Sequence, residues 1–178
     1  MPDQLSLAHT TLAWSQPKSF QRFHELTANG ETAGSLAFET SLGSLATAAY
    51  GHSRWTFKRV GFFSPRITIR EAGAPNDLAV FTPTWTGAGS VEFATGRRFR
   101  MRSLSFWGTE WAFEDEQGNA IVTLHGPQGI LKTGGESVVT DAGAGLAETP
   151  VLLLLLWYVR LLANEDAAAA GAVVACCG

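Results

Sequence analysis

One segment constrains the fold of this chain more than any other. Residues 151–163 read V-L-L-L-L-L-W-Y-V-R-L-L-A, and they follow Thr149-Pro150, a hydroxyl residue and a proline that are typical of a helix start. Within the predicted helix, Leu152–Leu156 point in every direction around the axis. A helix that is apolar on all sides must be enclosed by protein on all sides. Arg160 is the exception, and we expect its side chain to reach solvent near the end of the helix.

A membrane span is the alternative interpretation of this segment. Thirteen helical residues cover ~20 Å, whereas the hydrocarbon core of a bilayer is ~30 Å thick. A longer span would bury Arg160, Asn164, Glu165 and Asp166, and burying the charged groups would be costly. The sequence therefore favours a core helix over a tail anchor.

The rest of the chain indicates β-structure. Stretches rich in Phe, Trp, Val, Ile and Thr are separated by Gly, Pro, Asn and Asp at roughly every 8–12 residues. Twelve strands are predicted: Phe20–Leu26, Ser35–Thr40, Leu45–Tyr50, Arg54–Val60, Arg66–Glu71, Leu78–Thr82, Ser90–Ala94, Arg98–Ser103, Glu110–Glu114, Ala120–His125, Ile130–Thr133 and Glu136–Thr140. Residues 1–16 contain one amphipathic patch, which leaves open an additional strand or a loose segment.

Alternation along these strands predicts a closed barrel. Trp55 and Phe57 would face inwards between polar neighbours, and Phe99 and Met101 would do the same. About twelve antiparallel strands with one apolar face curl and close, and their lumen is too wide for side chains alone to fill. We therefore predict a mainly β protein, a closed antiparallel barrel of about twelve strands that encloses the C-terminal helix. The expected organisation is an N-terminal segment 1–19, a barrel 20–163 with its central helix at 150–163, and a loose tail 164–178.

The amino-acid composition and the two cysteines limit the classes of protein to which this chain can belong. The chain has 178 residues, 46% apolar and 16% charged, which fits a single domain with a core and excludes a disordered chain. Its net charge of −3 argues against a nucleic-acid-binding protein. Cys176 and Cys177 are adjacent, so they predict free thiols in the tail, with double acylation as the alternative. Without a signal-peptide pattern, we expect a cytoplasmic monomer, peripheral at the membrane if it binds lipid.

The pattern resembles a known superfamily. The late helix at Pro150–Ala163, the strand series before it, and the run W-A-F-E-D-E-Q-G-N at residues 111–119 are similar to the tubby C-terminal-like superfamily. That group includes tubby proteins, LURP-one-related proteins and phospholipid scramblases. The resemblance implies a twelve-stranded barrel around a hydrophobic helix, and in some members phosphoinositide binding through basic barrel residues.

No motif in the sequence predicts catalysis. There is no nucleophile elbow, no Walker loop and no zinc-protease helix pattern, and the four histidines lie far apart in the sequence. The acidic run Glu114-Asp115-Glu116 is followed by Gly118-Asn119, which favours a hairpin turn over a cation site. We therefore expect a protein that is not an enzyme and that needs no cofactor or metal.

Charge placement is the informative signal for function. Residues 54–102 carry nine basic and three acidic side chains, hence +6, against −9 for the remainder. Alternation places seven of the cations on the outer faces of three strands. If those strands are neighbours, the cations form one plate able to bind phosphate groups. These candidate ligand-binding residues are Arg54, Lys58, Arg66, Arg70, Arg98, Arg100 and Arg102.

Cross-strand pairing offers a simpler explanation of the same charges. A three-residue loop at 95–97 would set Glu92 opposite Arg100 and neutralise part of the surplus. Three hypotheses follow: a non-catalytic module for anionic lipid or another phosphorylated ligand, a structural barrel with a protein partner, and a scramblase-like activity.

Overall fold

The chain folds as a closed barrel with one helix. The computed structural model describes residues 10–126 and 134–176. Its elements are β1 (Thr11–Ser15), β2 (Phe23–Ala28), β3 (Glu31–Phe38), β4 (Ala46–Tyr50), β5 (Ser53–Val60), β6 (Arg66–Glu71), β7 (Ala79–Pro83), β8 (Gly89–Phe93), β9 (Arg98–Ser103), β10 (Glu110–Glu114), β11 (Ala120–His125), β12 (Gly135–Val139) and α1 (Thr149–Cys176). Every strand pairs antiparallel with its neighbours in the chain, and β1 pairs with β12 to close the barrel. The predicted fold class is confirmed.

The first described strand, β1, contains Leu12 and Trp14 from the amphipathic patch near the N-terminus. Leu12 and Trp14 point inwards, and Trp14 stacks on Trp157 of the helix with ring centroids 5.1 Å apart. The additional strand that the sequence left open near the N-terminus is therefore part of the barrel. The strand predicted at Ile130–Thr133 lies outside the described residues. Asn29 and Gly30, both with positive φ, make a tight turn that starts β3 at Glu31 rather than Ser35.

The helix lies in the lumen, as predicted. Residues 151–159 are buried, and α1 lies closest to β10–β12 and to β3–β4. Three inward positions of β3 and β4 are small, namely Gly34, Ala46 and Ala48, and they leave room for the helix. A Cβ on Gly34 would stand 2.8 Å from the carbonyl oxygen of Ala49. Large buried side chains on the strands opposite, such as Phe81, fill the wider side.

Two details of the helix differ from the prediction. The Thr149 hydroxyl donates to the carbonyl of Gly143 at 2.6 Å. The helix begins at Thr149, and the amide of Leu152 donates to the carbonyl of Glu148, so Glu148 stands at the cap position expected for Thr149. Residues 164–176, expected as a loose tail, continue the helix, because Arg22 and Arg59 hold its next turn at Glu165 and Asp166. Side chains beyond Ala172, including both cysteines, lie outside the described set.

The barrel has two distinct ends. Odd-numbered strands run towards the exit end, where α1 leaves the lumen, and even-numbered strands run towards the entry end, where α1 begins. The described loops of the exit end are 16–22, 39–45, 61–65, 84–88 and 104–109. Those of the entry end are 29–30, 51–52, 72–78, 94–97, 115–119 and 140–148.

The β8–β9 hairpin has a different register from the one predicted. Glu92 lies opposite Arg98, and Arg100 lies opposite Ser90. The turn closes through the amide of Phe93 and the carbonyl of Arg97, with Gly96 at a φ of 86°. A shift of two residues keeps every side chain on its predicted face. Burial of Phe99 and Met101 between exposed arginines is therefore confirmed, whereas the pairing of Glu92 with Arg100 is wrong.

Candidate anionic-ligand site

The seven predicted cations are exposed on the outer barrel wall, but they do not form one plate. Four lie on the adjacent strands β5 and β6, and three lie on β9. Strands β7 and β8 separate the two groups, so the distance from β6 to β9 is three strand spacings, roughly 14 Å. The intervening outer wall carries Val80, Thr82, Ser90 and Glu92. A single plate required the three charged strands to be neighbours, and this condition is not met because β7 and β8 lie between β6 and β9.

The arginines of β9 are largely neutralised by neighbouring acids. Arg98 donates to Glu92 at 3.1 Å, and this hydrogen bond raises the pKa of Arg98. Arg102 pairs with Glu114 at 3.0 Å, and the Glu114 side chain is mostly buried. Arg100 stands between Ser90 and Glu114 on the flanking strands. This group therefore matches the pairing hypothesis better than a ligand site.

A groove lies on the outer wall between β5 and β6, and we call it the β5–β6 groove. It has a volume of about 420 Å³. Its lining residues are Leu45, Thr56, Lys58, Val60, Arg66, Thr68, Arg70 and Asp77. The register sets Lys58 opposite Thr68, with Arg66 and Arg70 two residues away on either side. Three cations therefore surround one threonine hydroxyl.

The charges in this groove are only partly paired. Arg70 binds Asp77, with Nε and Oδ1 2.6 Å apart. Within residues 10–126 and 134–176, Lys58 and Arg66 make no ion pair, and neither does Arg54, which lies outside the groove. The Thr68 hydroxyl already donates to the carbonyl of Lys58 at 3.4 Å. The guanidinium fork of Arg66 and the ammonium group of Lys58, with the Thr56 hydroxyl in the same groove, are donors of the kind that binds a phosphate.

A second set of contacts, which the sequence analysis missed, fastens the helix at the exit end. Arg22 binds both carboxylate oxygens of Glu165 and also donates to the carbonyls of Thr40 and Gly43. Arg59 binds Asp166 at 2.7 Å. These arginines hold the helix in place and are not available to a ligand. Arg59 lies two residues after Phe57, so alternation places it on the inner face of β5, and this was the sequence signal for its role.

Two further contacts join the helix to the barrel near the exit end. The hydroxyl of Tyr158 donates to the carbonyl of Ser44 at 2.6 Å, and burial raises the pKa of Tyr158 to about 12. The guanidinium of Arg160 lies 4.3 Å from the ring centroid of Trp111, and burial lowers its pKa. Arg160 is half-buried in the barrel mouth, not extended to solvent at a helix end, because the helix continues to Cys176.

The acidic run begins at Glu114, the last residue of β10, and continues into a turn, as the sequence indicated. Asp115 accepts hydrogen bonds from the amides of Gln117 and Asn119 and from the Asn119 side chain, and these bonds lower the pKa of Asp115. Among the described residues, no group of three or more His, Cys, Asp or Glu side chains is arranged to hold a metal ion. Over the same residues, no helix has the length and apolar character needed to cross a bilayer.

Comparison with known proteins supports the fold. A crystal structure of an Arabidopsis thaliana protein, AT5G01750, is similar to this chain with a TM-score of 0.57. The match has 15% sequence identity and covers 89% of this chain and 96% of the Arabidopsis chain. No family model matches the sequence, and no curated protein does. At this identity the similarity shows a shared architecture.

Proposed function

We propose that this chain is a non-catalytic, tubby-like barrel that binds a phosphate-bearing anion, the headgroup of an acidic phospholipid, in the β5–β6 groove. One observation carries the proposal: Lys58 and Arg66, both without an acidic partner among the described residues, line one groove together with the hydroxyls of Thr56 and Thr68. The superfamily resemblance points to the same ligand chemistry.

The groove offers groups for binding rather than for reaction. Its ionisable side chains are Lys58, Arg66, Arg70 and Asp77, and Arg70 holds the carboxylate of Asp77. Charge-assisted hydrogen bonds to phosphate are stronger than neutral ones, and Arg66 can make two in parallel. The attraction between exposed charges falls with ionic strength. Binding through this groove is therefore expected to weaken as salt rises.

Vesicle sedimentation with matched variants tests the proposal. The wild type should bind phosphatidylcholine vesicles that contain phosphoinositide, and should bind a soluble inositol phosphate in calorimetry. The double variant Lys58→Gln/Arg66→Gln should lose about tenfold or more in affinity for both, since two charge-assisted contacts disappear. The control Arg98→Gln/Arg100→Gln removes the same charge from β9 and should retain binding.

The outcomes separate this function from its alternatives. If the Lys58→Gln/Arg66→Gln variant lost vesicle binding but still bound inositol phosphate, the two cations would act by general electrostatic attraction to the membrane. The groove would then not be a headgroup site. Equal losses in both double variants would contradict a site in the groove. A wild type that binds neither ligand would overturn the proposal and favour a barrel with a protein partner.

A further inference from the structure

Within residues 10–126 and 134–172, the large aromatic side chains that are exposed all lie at one end of the barrel. Six of them are at least 75% exposed, and we call them the aromatic rim: Phe20, Phe62, Phe63, Trp85, Phe106 and Trp107. They lie on four loops of the exit end, and a fifth exit-end loop carries Leu42, which is 99% exposed. Every described exit-end loop therefore presents a large apolar side chain to solvent.

The opposite end has the reverse character. Its six described loops carry no large exposed apolar side chain. They are rich in Gly, Ala, Asn and Thr, and they hold five acids (Asp77, Asp115, Glu116, Asp141 and Glu148) against one basic residue, Arg97. Glu148 is paired with Arg97, and Asp77 is paired with Arg70 of β6. The described exit-end loops hold Lys18 and Arg22 against Glu39. Among the described loops, the large exposed apolar side chains are therefore at the exit end and most of the acids are at the entry end.

The rim consists of separate projections rather than a groove. Phe62 and Phe63 contact each other edge to face, as do Phe106 and Trp107, and each pair stands at the tip of its own loop. Small polar residues such as Ser64 and Ser105 flank them. A protein partner would need a pocket for each projection, whereas a lipid surface can deform around all of them. Trp and Phe are also suited to the interface between headgroups and acyl chains.

The helix presents compatible chemistry at the same end. Its two acids at the mouth, Glu165 and Asp166, are paired with Arg22 and Arg59. The exposed turns that follow, Ala167–Ala172, contain only alanine and glycine and carry no charge. Nothing described on this part of the helix opposes contact with an apolar surface.

We propose that the exit end is a membrane-docking face, with the aromatic rim inserted into the interfacial region of an anionic bilayer and the acidic entry end directed away from it. Lys18 and the unpaired cations Lys58 and Arg66 lie in the exit-end half of the molecule, where they can face anionic headgroups. This proposal goes beyond headgroup binding in the β5–β6 groove, since it concerns a different surface and insertion rather than ionic contact.

Tryptophan fluorescence tests the insertion directly. Of the six tryptophans, Trp14, Trp55, Trp111 and Trp157 are buried, which leaves the two rim tryptophans as the solvent-exposed reporters. With vesicles of phosphatidylcholine and phosphatidylserine, the emission should shift to the blue, and bromine atoms on the upper acyl chains should quench it. An unshifted, unquenched spectrum in the presence of bound vesicles would overturn insertion.

A rim variant then separates this surface from the groove. Combining Phe62→Ser, Phe63→Ser, Phe106→Ser and Trp107→Ser should weaken vesicle binding by about tenfold or more, because four apolar side chains no longer leave water. Binding of soluble inositol phosphate should be unchanged, and Trp85 remains as a reporter.

Controls keep the two proposals distinguishable. The entry-end variant Thr95→Ser/Gln117→Ser should bind vesicles like the wild type, and thermal unfolding should show that all variants fold. If the wild type bound vesicles but not inositol phosphate, the proposed groove site would be refuted and the proposed insertion of the aromatic rim would stand. A lipid-free dimer that dissociates in the rim variant, together with absent quenching, would instead identify the rim as a contact between copies.

Discussion

His24 lies on the inner face of β2, 4% exposed, with its ring 5.8 Å from that of Trp157 and edge-on to it. Burial, and secondarily the charge of Arg22, lowers the pKa of His24 to about 4. Between pH 4 and 6.5 the unfolded chain, in which the histidine pKa is near 6.5, therefore binds more protons than the folded protein does. Consequently the free energy of unfolding should fall as the pH drops through this window, by on the order of 3 kcal/mol.

Urea unfolding at pH 7.5 and 4.5 measures this effect. The variant His24→Gln removes the titration, so it should lose less stability on acidification than the wild type does. Identical pH dependence in the two proteins would show that His24 is already accessible to protons in the folded barrel.

At the same scale, single side chains decided which cations are free. Exposure of all seven outer cations followed from alternation alone. Alternation did not predict the acidic partners of these cations. Arg102 reaches diagonally to Glu114, and Arg70 reaches Asp77 in a loop. Such contacts depend on how far a side chain reaches across neighbouring strands. The spacing of residues along one strand does not predict them.

At the scale of elements, the helix is the part of the fold on which the others depend. Leu154 is completely buried near the middle of its enclosed part. We expect Leu154→Asp to abolish cooperative folding, because an unpaired charge in an apolar core costs several kcal/mol, comparable to the whole stability of a domain.

Circular dichroism melting and size-exclusion chromatography check this expectation. The control Ala169→Asp places the same charge on an exposed turn of the same helix and should leave the melting temperature nearly unchanged. A Leu154→Asp protein with a wild-type melting temperature would contradict the enclosed helix.

Strand assignment illustrates what local pattern can determine. The period-2 alternation in β5 and β9 predicted the buried face of each strand correctly. The hairpin register was wrong by two residues, because alternation repeats every two residues and cannot distinguish registers that differ by that amount. The turn geometry at Gly96 determines the register of the β8–β9 hairpin.

For the whole molecule, closure between β1 and β12 is the decisive contact. Ala13 in β1 lies between Thr27 of β2 and Glu136 of β12, so its backbone is within the ladder on both sides. Ala13→Pro should open the barrel there, since proline lacks the amide donor and is excluded from central strands. We expect a loss of roughly 3 kcal/mol or more and aggregation through the freed edges.

Thermal unfolding and light scattering measure the two effects. Ala13→Val keeps the amide at the same exposed position, so it should behave like the wild type. A proline variant that stays monomeric and equally stable would show that the seam contributes little to the fold.

The sequence by itself determined the class of architecture. Strict alternation along short strands requires a sheet with one buried face, and a helix that is apolar all round requires a sheet that surrounds it. Both are local consequences of burying apolar side chains, so they could be read without any tertiary contact.

The tertiary structure decided where chemistry is brought together. It separated β9 from β6, left Lys58 and Arg66 without acidic partners, joined Arg22 to Glu165 across 143 positions, and collected the aromatic loops at one end. Loop placement follows from strand direction: in an up-and-down barrel every second loop lies at the same end, which groups residues up to about ninety positions apart. Such proximity arises from closure of the whole sheet, and no local pattern along the chain encodes it.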